Sequence, residues 1–587
     1  MNSILSHSLW EIAQLPTELV EEVQGRLSAS RTFARAAVRR YGSSYSLLER
    51  KDRVLIHPPS ALEDLPRAVD RIKRSLKAGE KIFIKGDFDV DGLASAAIVY
   101  RGLRRLKRSS ELPWTYDGLK VELGNRSEGH GLGRLLSSRL VKDDFDLLIT
   151  TDCGIKESLE ISHLAQFGID VIVTDHHEPP VEEELPPAYA LIDPKRASCS
   201  YPNSALSGCG VAYKLMEGLY GELGLPFDRE GELSGLLALG TVADVSPLIA
   251  DGDPENRILV KRGLNRLSAN PPTGVAALME ELDMEEGEEI SPRDIGFRLA
   301  PKLNAANRVG DPKVGFLLLT TENYDRALHL AGTLSAYDGD RYSSQQEVLS
   351  QCREKIDKAD LSPGQAPLLF ISGKGWSPGI IGLVASRLSD RYDTPAVVVT
   401  EEDGDCRGSA RSVSGVNIVE GLRYCGEFLD RFGGHEMAAG FRLKRDMLDQ
   451  FRSCLNDWAR GEGKAKVDKE AKLLDGELRA EDLGKDLYEE LQRMAPFGPG
   501  NPRPLFLLEE GDFTDMRRVG KTDAHLKARW VGGGKAVDVI GFNLGKAYDK
   551  LSEIRSNGGR IRAVVGLDMD DWQGKRSLQL EVKDFVD

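Results

Sequence analysis

Three apolar strand-like segments, each ending in an acidic cluster, constrain this chain more than any other feature. KIFIKGD, DLLITTD and IDVIVTDHH read as strands, while AVDRIKRSLKAGE and ASAAIVYRGLRRLKR carry helical spacing around them. Helices alternating with such strands predict a parallel βαβ sheet. In sheets of that kind ligands gather outside the carboxyl ends of the strands. There stand GDFDVDG (Asp87, Asp89, Asp91), TTDCG (Asp152) and TDHH (Asp175, His176, His177). One D-x-D is ordinarily a helix cap or turn, but three acidic clusters at successive strand ends are not accounted for in that way. Carboxylates converging in one cleft repel each other and lose hydration unless a cation neutralises them. Carboxylate with imidazole suits Mn²⁺ first and Mg²⁺ second. Two such ions ~3.5–4 Å apart, bridged by one carboxylate, would activate a water and stabilise the leaving oxygen of a phosphoryl displacement.

At 587 residues the chain has room for several domains. The expected division is an N-terminal cap or arm (1–49), the parallel-sheet domain (50–270), a helical connector (271–360) and a second α/β unit (361–462) holding the strands PLLFIS and PAVVVT. Residues 463–587 open with a charged linker and the turn APFGPGNPRP, then continue as short strands that suggest a small β-barrel. The fold class is therefore α/β multidomain.

A formal net charge of −15 argues against coating of nucleic acid or membrane through bulk charge. Local patches differ: RGLRRLKR (101–108) has five bases and no acid, 511–565 has an excess of five bases, and 280–289 holds seven acids. The N-terminus lacks the pattern of a secretory signal, and no apolar run approaches the ~20 residues of a membrane span. The seven cysteines are scattered without a CxxC pair. They predict reduced thiols in a cytoplasmic protein, against a disulfide framework or zinc ribbon.

GDFDVDG, TTDCG, TDHH and ALGTVADVSPL together resemble the four motifs of the DHH phosphoesterase superfamily, and GGHEMAAG (433–440) resembles the signature of its DHHA1 domain. NRSEGHGL, SGCGVAYKL, ENRILVKRGL, APKLNAANR, GWSPGIIGLVASRL and GSARS resemble the RecJ group of bacterial single-stranded-DNA exonucleases within it. The C-terminal RRVGKTDAHLKARW and VDVIGFNLG resemble that group's OB-fold. The resemblance runs from about residue 50 to the C-terminus.

It implies a DHH domain joined by a long helix to DHHA1, with an OB-like domain completing a channel, and a 5′→3′ exonuclease acting on single-stranded DNA in repair and recombination. Asp89, Asp91, Asp152, His176 and Asp244 would bind two Mn²⁺ or Mg²⁺ ions, Asp152 as the bridge. His177 would face the scissile phosphate, Asp87 would stand behind the ligands, and Asp175 would orient a metal-binding imidazole. Arg126, Ser409 and Arg411 would hold a terminal 5′-phosphate and Arg308 would lie near the scissile bond. Gly433, Gly434 and His435 would let backbone amides approach a phosphate. Ser377 and Asn307 depart from that pattern, which has histidine and glycine there. Trp530, Phe513 and Phe542 are candidates for base stacking. The expected protein is a cytoplasmic monomer without membrane contact, with a helicase and a single-strand-binding protein as partners. The competing readings are a DHH phosphodiesterase of short oligonucleotides or cyclic dinucleotides, and a catalytically silent DHH-related scaffold.

Overall fold

The computed structural model describes residues 1, 3–4, 9–49, 55–108, 118–125, 131–180, 184–285, 287–358, 367–461, 471–520, 523–557, 561–572 and 575–586. A short strand β1 (Trp10–Ile12) leads into two helices, Thr17–Leu27 and Arg31–Tyr41. The predicted parallel sheet then forms from β2 (Ile82–Gly86), β3 (Leu119–Leu123), β4 (Leu147–Thr151), β5 (Asp170–Thr174) and β6 (Ala190–Ile192). Their order is β3-β2-β4-β5-β6, every pair parallel. The chain reverses direction across the sheet between β2 and β4, the place where such sheets open a crevice. β2 and β4 are buried throughout because helices cover both faces. Val90–Arg108 and Gly208–Glu222 pack on one face, and Arg134–Lys142 and Ser158–Gln166 on the other.

Register aligns the strand ends. Gly86 pairs with Thr151, Thr151 with Thr174 and Thr174 with Ile192, so Asp87, Asp152, Asp175 and Asp193 follow side by side at the carboxyl edge. The ladder extends one step further: the amides of Asp87, Asp152 and Asp175 donate to Thr151, Thr174 and Ile192.

The first core runs past the expected boundary at 270, since Leu303, Leu318 and Leu334 belong to it. The long helix Tyr324–Lys358 joins two cores: Ala327 to Leu334 pack in the first, and Val348 to Ile356 pack with Ile371 and Ile380 in the next. That second core carries β7 (Leu369–Lys374), β8 (Ala396–Glu401), β9 (Asp405–Arg411), β10 (Arg431–His435) and β11 (Ala438–Lys444), in the order β10-β11-β9-β8-β7. Only β7 and β8 are parallel within it.

Next come β12 (Lys472–Leu474), β13 (Gly476–Leu478), β14 (Phe506–Val519), β15 (His525–Gly532), β16 (Lys535–Gly541), β17 (Ile561–Trp572) and β18 (Lys575–Val586). Pairing of β14 with β17 closes the order β14-β15-β16-β18-β17 into a five-stranded barrel. The N-terminal segment is no free arm. Phe33 and Val38 share the barrel's core, β1 pairs with β12, and Trp10 Nε1 donates to Asp584 at 2.9 Å.

Several expectations change. Cys425 and Cys454 form a disulfide, against the prediction of seven reduced thiols; Cys153, Cys199, Cys209, Cys352 and Cys406 are free. Both partners lie in the α/β unit around β7–β11, where folding brings together cysteines that no local motif links. Trp530 and Phe513 fill the barrel core, because inward positions of a small barrel need large apolar side chains, so neither is available to stack on bases. Phe542 is exposed, with the Arg293 guanidinium 4.7 Å from its ring centre. Within the basic run at 101–108, Arg101 and Arg105 both pair with Glu232, which makes that part of the helix an internal tie rather than a free cationic face.

Candidate active site

The strand ends place their side chains in one cluster. Ligand atoms of Asp87, Asp89 and Asp152 lie within 4.8 Å of one another, as do those of Asp91, His176 and Asp244, and those of Asp152, His176 and His177. Asp152 and His176 each belong to two of these groups, and Asp152 Oδ1 stands 3.1 Å from His176 Nε2. The carboxylate set Asp87, Asp89 and Asp152 is therefore linked to the set Asp91, His176 and Asp244 through the contact of Asp152 with His176. This is the arrangement a pair of hard divalent ions requires, and the donor chemistry fits Mn²⁺ or Mg²⁺.

Local structure explains each position. Asp89 accepts a hydrogen bond from the Gly92 amide at 3.0 Å and so starts the helix Val90–Arg108. Asp91 accepts from the Gly208 and Cys209 amides at 2.7 and 2.9 Å, at the start of the helix Gly208–Glu222. A Cβ on Gly208 would come 2.5 Å from Asp152 Oδ1, and one on Gly240 would come 2.7 Å from Asp91 Oδ1. The glycines of SGCG and ALGTVAD thus allow two helices to close on the carboxylates. Asp152 itself has φ +61°, and Val245, next to Asp244, has φ +65°. A β-branched residue in that region is strained, and the strain sits beside a candidate ligand.

Asp175 departs from expectation. The sequence predicts that it orients a metal-binding imidazole, but its Oδ1 bonds His177 Nδ1 at 2.7 Å and not the His176 ring. The same carboxylate accepts the His176 amide at 2.8 Å and the Ile155 amide at 2.9 Å, so it fixes the turn while it orients the exposed imidazole. The tautomer follows from this: Nδ1 carries the proton toward Asp175, leaving Nε2 to face the cleft.

Electrostatics describe a site that needs cations. Burial, with the Asp244 charge second, pushes the Asp91 carboxyl up to about 8. Burial followed by the Asp91, Asp89 and Asp87 charges raises Asp152 well above the usual range. Burial lowers His176. Hydrogen bonding to Asp175 raises His177 to about 9. Burial would raise Asp175, but the bond from His177 and the Ile155 amide hold it below its ordinary value. Asp193 was not singled out in the sequence, yet it completes the row of strand-end aspartates; burial and the Asp175 charge push it up to about 7. Its signal was a fourth apolar strand ending in aspartate, LID, too short to stand out.

Facing Asp152 and His177 is a cleft of ≈ 830 Å³ whose far wall is built from β9, β10 and β11. Ser409, Gly433 and Gly434 line it as expected. Arg411 donates to Ser409 Oγ at 3.0 Å, and Gly382 leaves room for both side chains. Gly434 has φ +145°, and a Cβ there would meet the Ala438 carbonyl at 2.3 Å. Arg308 donates to the Gly379 carbonyl at 3.0 Å, tying the connector to the helix Pro378–Tyr392, and is not part of the described wall. His435 is exposed at the end of β10, also outside that wall. Arg126 lies outside the described residues. Of the two departures, Ser377 caps the helix Pro378–Tyr392 by accepting from the Gly379 amide, and Asn307 donates to the Phe88 carbonyl at 3.0 Å. Sequence reasoning missed Arg407, Arg431 and Arg442 in that wall and Lys156 on the side facing it. The period-2 spacing R-x-S-x-R over 407–411 was the available signal.

Three domain families match the chain: the DHH family N-terminal domain over 81–241, the DHHA1 domain over 365–461 and the RecJ OB domain over 474–584. The single-stranded-DNA-specific exonuclease RecJ of Escherichia coli (strain K12) is 32% identical over 594 residues, covering 97% of this chain and 96% of that protein. The chain belongs to the RecJ family. The RecJ of Bacillus subtilis (strain 168) is 32% identical over 587 residues, covering 99% of this chain and 71% of that protein. The crystal structure of Thermus thermophilus RecJ with Mn²⁺ matches at a TM-score of 0.81 and 28% identity, covering 99% of this chain and 80% of that one. The Mg²⁺ complex of the same protein matches at 0.74 and 26% identity, covering 98% and 78%.

A RecJ-family site with these titrations links metal and pH. Asp91 has a folded value above its unfolded one, so the stability it contributes is complete below about 4 and is lost as pH rises through about 8. The metal-free protein should therefore melt at lower temperature at pH 8.5 than at pH 6. Mn²⁺ at one fixed concentration should stabilise the protein more at the higher pH, where its dissociation constant is lower; a hundredfold excess over that constant corresponds to ~2.7 kcal/mol. Differential scanning calorimetry measures both, and a Mn²⁺ effect independent of pH would contradict the assignment.

Proposed function

We propose that this chain is a metal-dependent exonuclease that hydrolyses single-stranded DNA from its 5′ end and releases nucleotides. The observation that supports this most is the joining, at Asp152 and His176, of two carboxylate-rich donor sets, with Asp152 opening on the cleft that Ser409 and a glycine-lined wall close on the other side. In this reading Asp89, Asp91, Asp152, His176 and Asp244 hold two ions, and Asp87 joins them through its place beside Asp89 and Asp152. The ions, when bound, neutralise the carboxylates and supply an activated water. His177, protonated and held by Asp175, places a positive N–H where charge develops on the scissile phosphate. Ser409 and Arg411 grip a terminal 5′-phosphate, Arg411 through its planar fork. Arg126 serves the same phosphate. Gly433 and Gly434 offer backbone approach, with His435 at the margin. Arg308 acts through the Gly379 contact that fixes the two domains' edges.

The reading places the enzyme in DNA repair and recombination, acting as a monomer in the cytoplasm. A nuclease confined to single strands needs a source of them, so a helicase and a single-strand-binding protein are the partners the chemistry calls for. Among the described residues no helix is long and apolar enough to cross a membrane. The test is digestion of 5′- and 3′-labelled single and double strands with Mn²⁺ or Mg²⁺. Nucleotides released first from the 5′ label of single strands are expected. Preference for a dinucleotide over a long 5′-phosphorylated strand would replace this reading with that of a short-oligonucleotide phosphodiesterase.

A further inference from the structure

Sheet register in the second α/β unit places three arginines in one line. Arg407 of β9 pairs directly with Arg442 of β11, and Arg442 with Arg431 of β10. Residues directly opposite share a face, and all three line the cleft that holds Asp152 and His177. Alternation along β9 is strict: Cys406, Gly408 and Ala410 are buried, while Arg407, Ser409 and Arg411 turn the other way. The next row is Ser409, Gly440 and Gly433, nearly bare of side chains, and the one after is Arg411, Ala438 and His435.

Like charges directly opposite in a sheet destabilise it. Nearby acids relieve the row only in part. Asp405 pairs with Arg442 at 2.6 Å and with Lys444 at 2.8 Å, and Glu157 on the facing wall is accompanied by Lys156. Arg407 Nε is buried without a hydrogen-bond partner among the described residues. An anionic chain laid across the row would meet guanidinium forks suited to phosphate oxygens, with a glycine floor beside them.

We propose that Arg407, Arg442 and Arg431 form a phosphate-gripping row that holds the substrate strand away from its terminal 5′-phosphate and makes the enzyme favour long strands over short ones. The proposal rests on the single-strand nuclease reading. Same-face residues recur about every 7 Å along a strand. The series Arg411, Ser409, Arg407 therefore steps at a spacing comparable with that of successive phosphates in an extended single strand. Arg411 meets the terminal phosphate, and the Arg407 row a later one.

The test uses the full chain in metal-free buffer and follows binding of fluorescent 5′-phosphorylated oligothymidylates, from dinucleotide to long strand, by anisotropy across a salt series. Arg407→Gln with Arg431→Gln should weaken long-strand binding about tenfold, with a loss that grows with length. The slope of log affinity against log salt should become shallower by ~0.7 for each phosphate contact removed. Arg431→Lys keeps the charge and should restore most of the slope. Arg431 is exposed, so its single variant guards against misfolding and should show half the change in slope. An equal loss at every length, or an unchanged slope, would overturn the row while leaving the nuclease reading standing. Wild-type protein that does not bind long single strands would overturn both.

Discussion

Asp152→Ala is expected to abolish phosphodiester hydrolysis, by ~10³-fold or more, while single-stranded DNA still binds. A loss of that size corresponds to ~4 kcal/mol of transition-state stabilisation. It is expected because this one carboxylate belongs to the Asp87–Asp89 donor set and also touches His176 of the other set, at 3.1 Å. Its ligand atoms stand with those of Asp87 and Asp89 on one side and with those of His176 and His177 on the other. No neighbour can substitute, since the backbone at 152 is held at φ +61° with its amide bonded to Thr174, and Gly208 is packed against the carboxylate. Strand binding should survive because the cleft's far wall, with Ser409, Gly433 and Gly434, is untouched. Titration calorimetry should show Mn²⁺ stoichiometry falling below that of the wild type. The metal-free variant should melt no lower than wild type, because burial and the Asp91 charge make Asp152 costly to ionise. Such a trade of stability for activity is usual where a site concentrates like charges. Turnover at the wild-type rate would remove Asp152 from its shared role.

Much of this site was legible in the sequence because its signals are local. An apolar run followed by aspartate reports a strand end directly, and parallel register then places Asp87, Asp152 and Asp175 side by side without further information. The long helix Tyr324–Lys358 was readable for the same reason. What escaped depends on contacts between distant segments. The partner of Asp175 could not be read from TDHH, since either histidine stands beside it in the chain and only the turn geometry selects His177. Arg407, Arg442 and Arg431 become a row only through antiparallel pairing of three strands. Trp530 and Phe513 looked like stacking residues because an aromatic in a barrel strand has the same sequence whether it points in or out, and both point in. Phe33 lies more than 440 residues from Leu478, yet the two share one core, a relation that no window of sequence contains.

The second large effect concerns pH. His177 is raised to about 9 chiefly by its hydrogen bond to Asp175, with burial opposing. A raised imidazole contributes stability that is complete below its ordinary value of ~6.5 and is lost as pH climbs through the folded value. The same window governs chemistry. Below about 9 the ring carries the proton that would face the scissile phosphate, and above it the ring is neutral. Asp175→Asn removes the anionic partner that raises the ring most, leaving burial to lower it against the smaller pull of the Asp87 and Asp89 charges. His177 should then titrate well below about 9, and at pH 8 a smaller share of the variant carries a protonated ring. The expected outcome is a fall in turnover of ~10²–10⁴-fold at that pH. The alkaline limb of kcat/KM should move to lower pH, and acidification toward pH 6 should recover part of the loss. Asparagine keeps an oxygen for the His176 amide but presents its NH2 to the Ile155 amide, so circular dichroism of the variant checks that the fold is retained. Proton resonances of the imidazole in the metal-free protein measure the titration independently of turnover. If both the resonances and the alkaline limb stay near 9 in the variant, the charge on His177 is set by something other than Asp175.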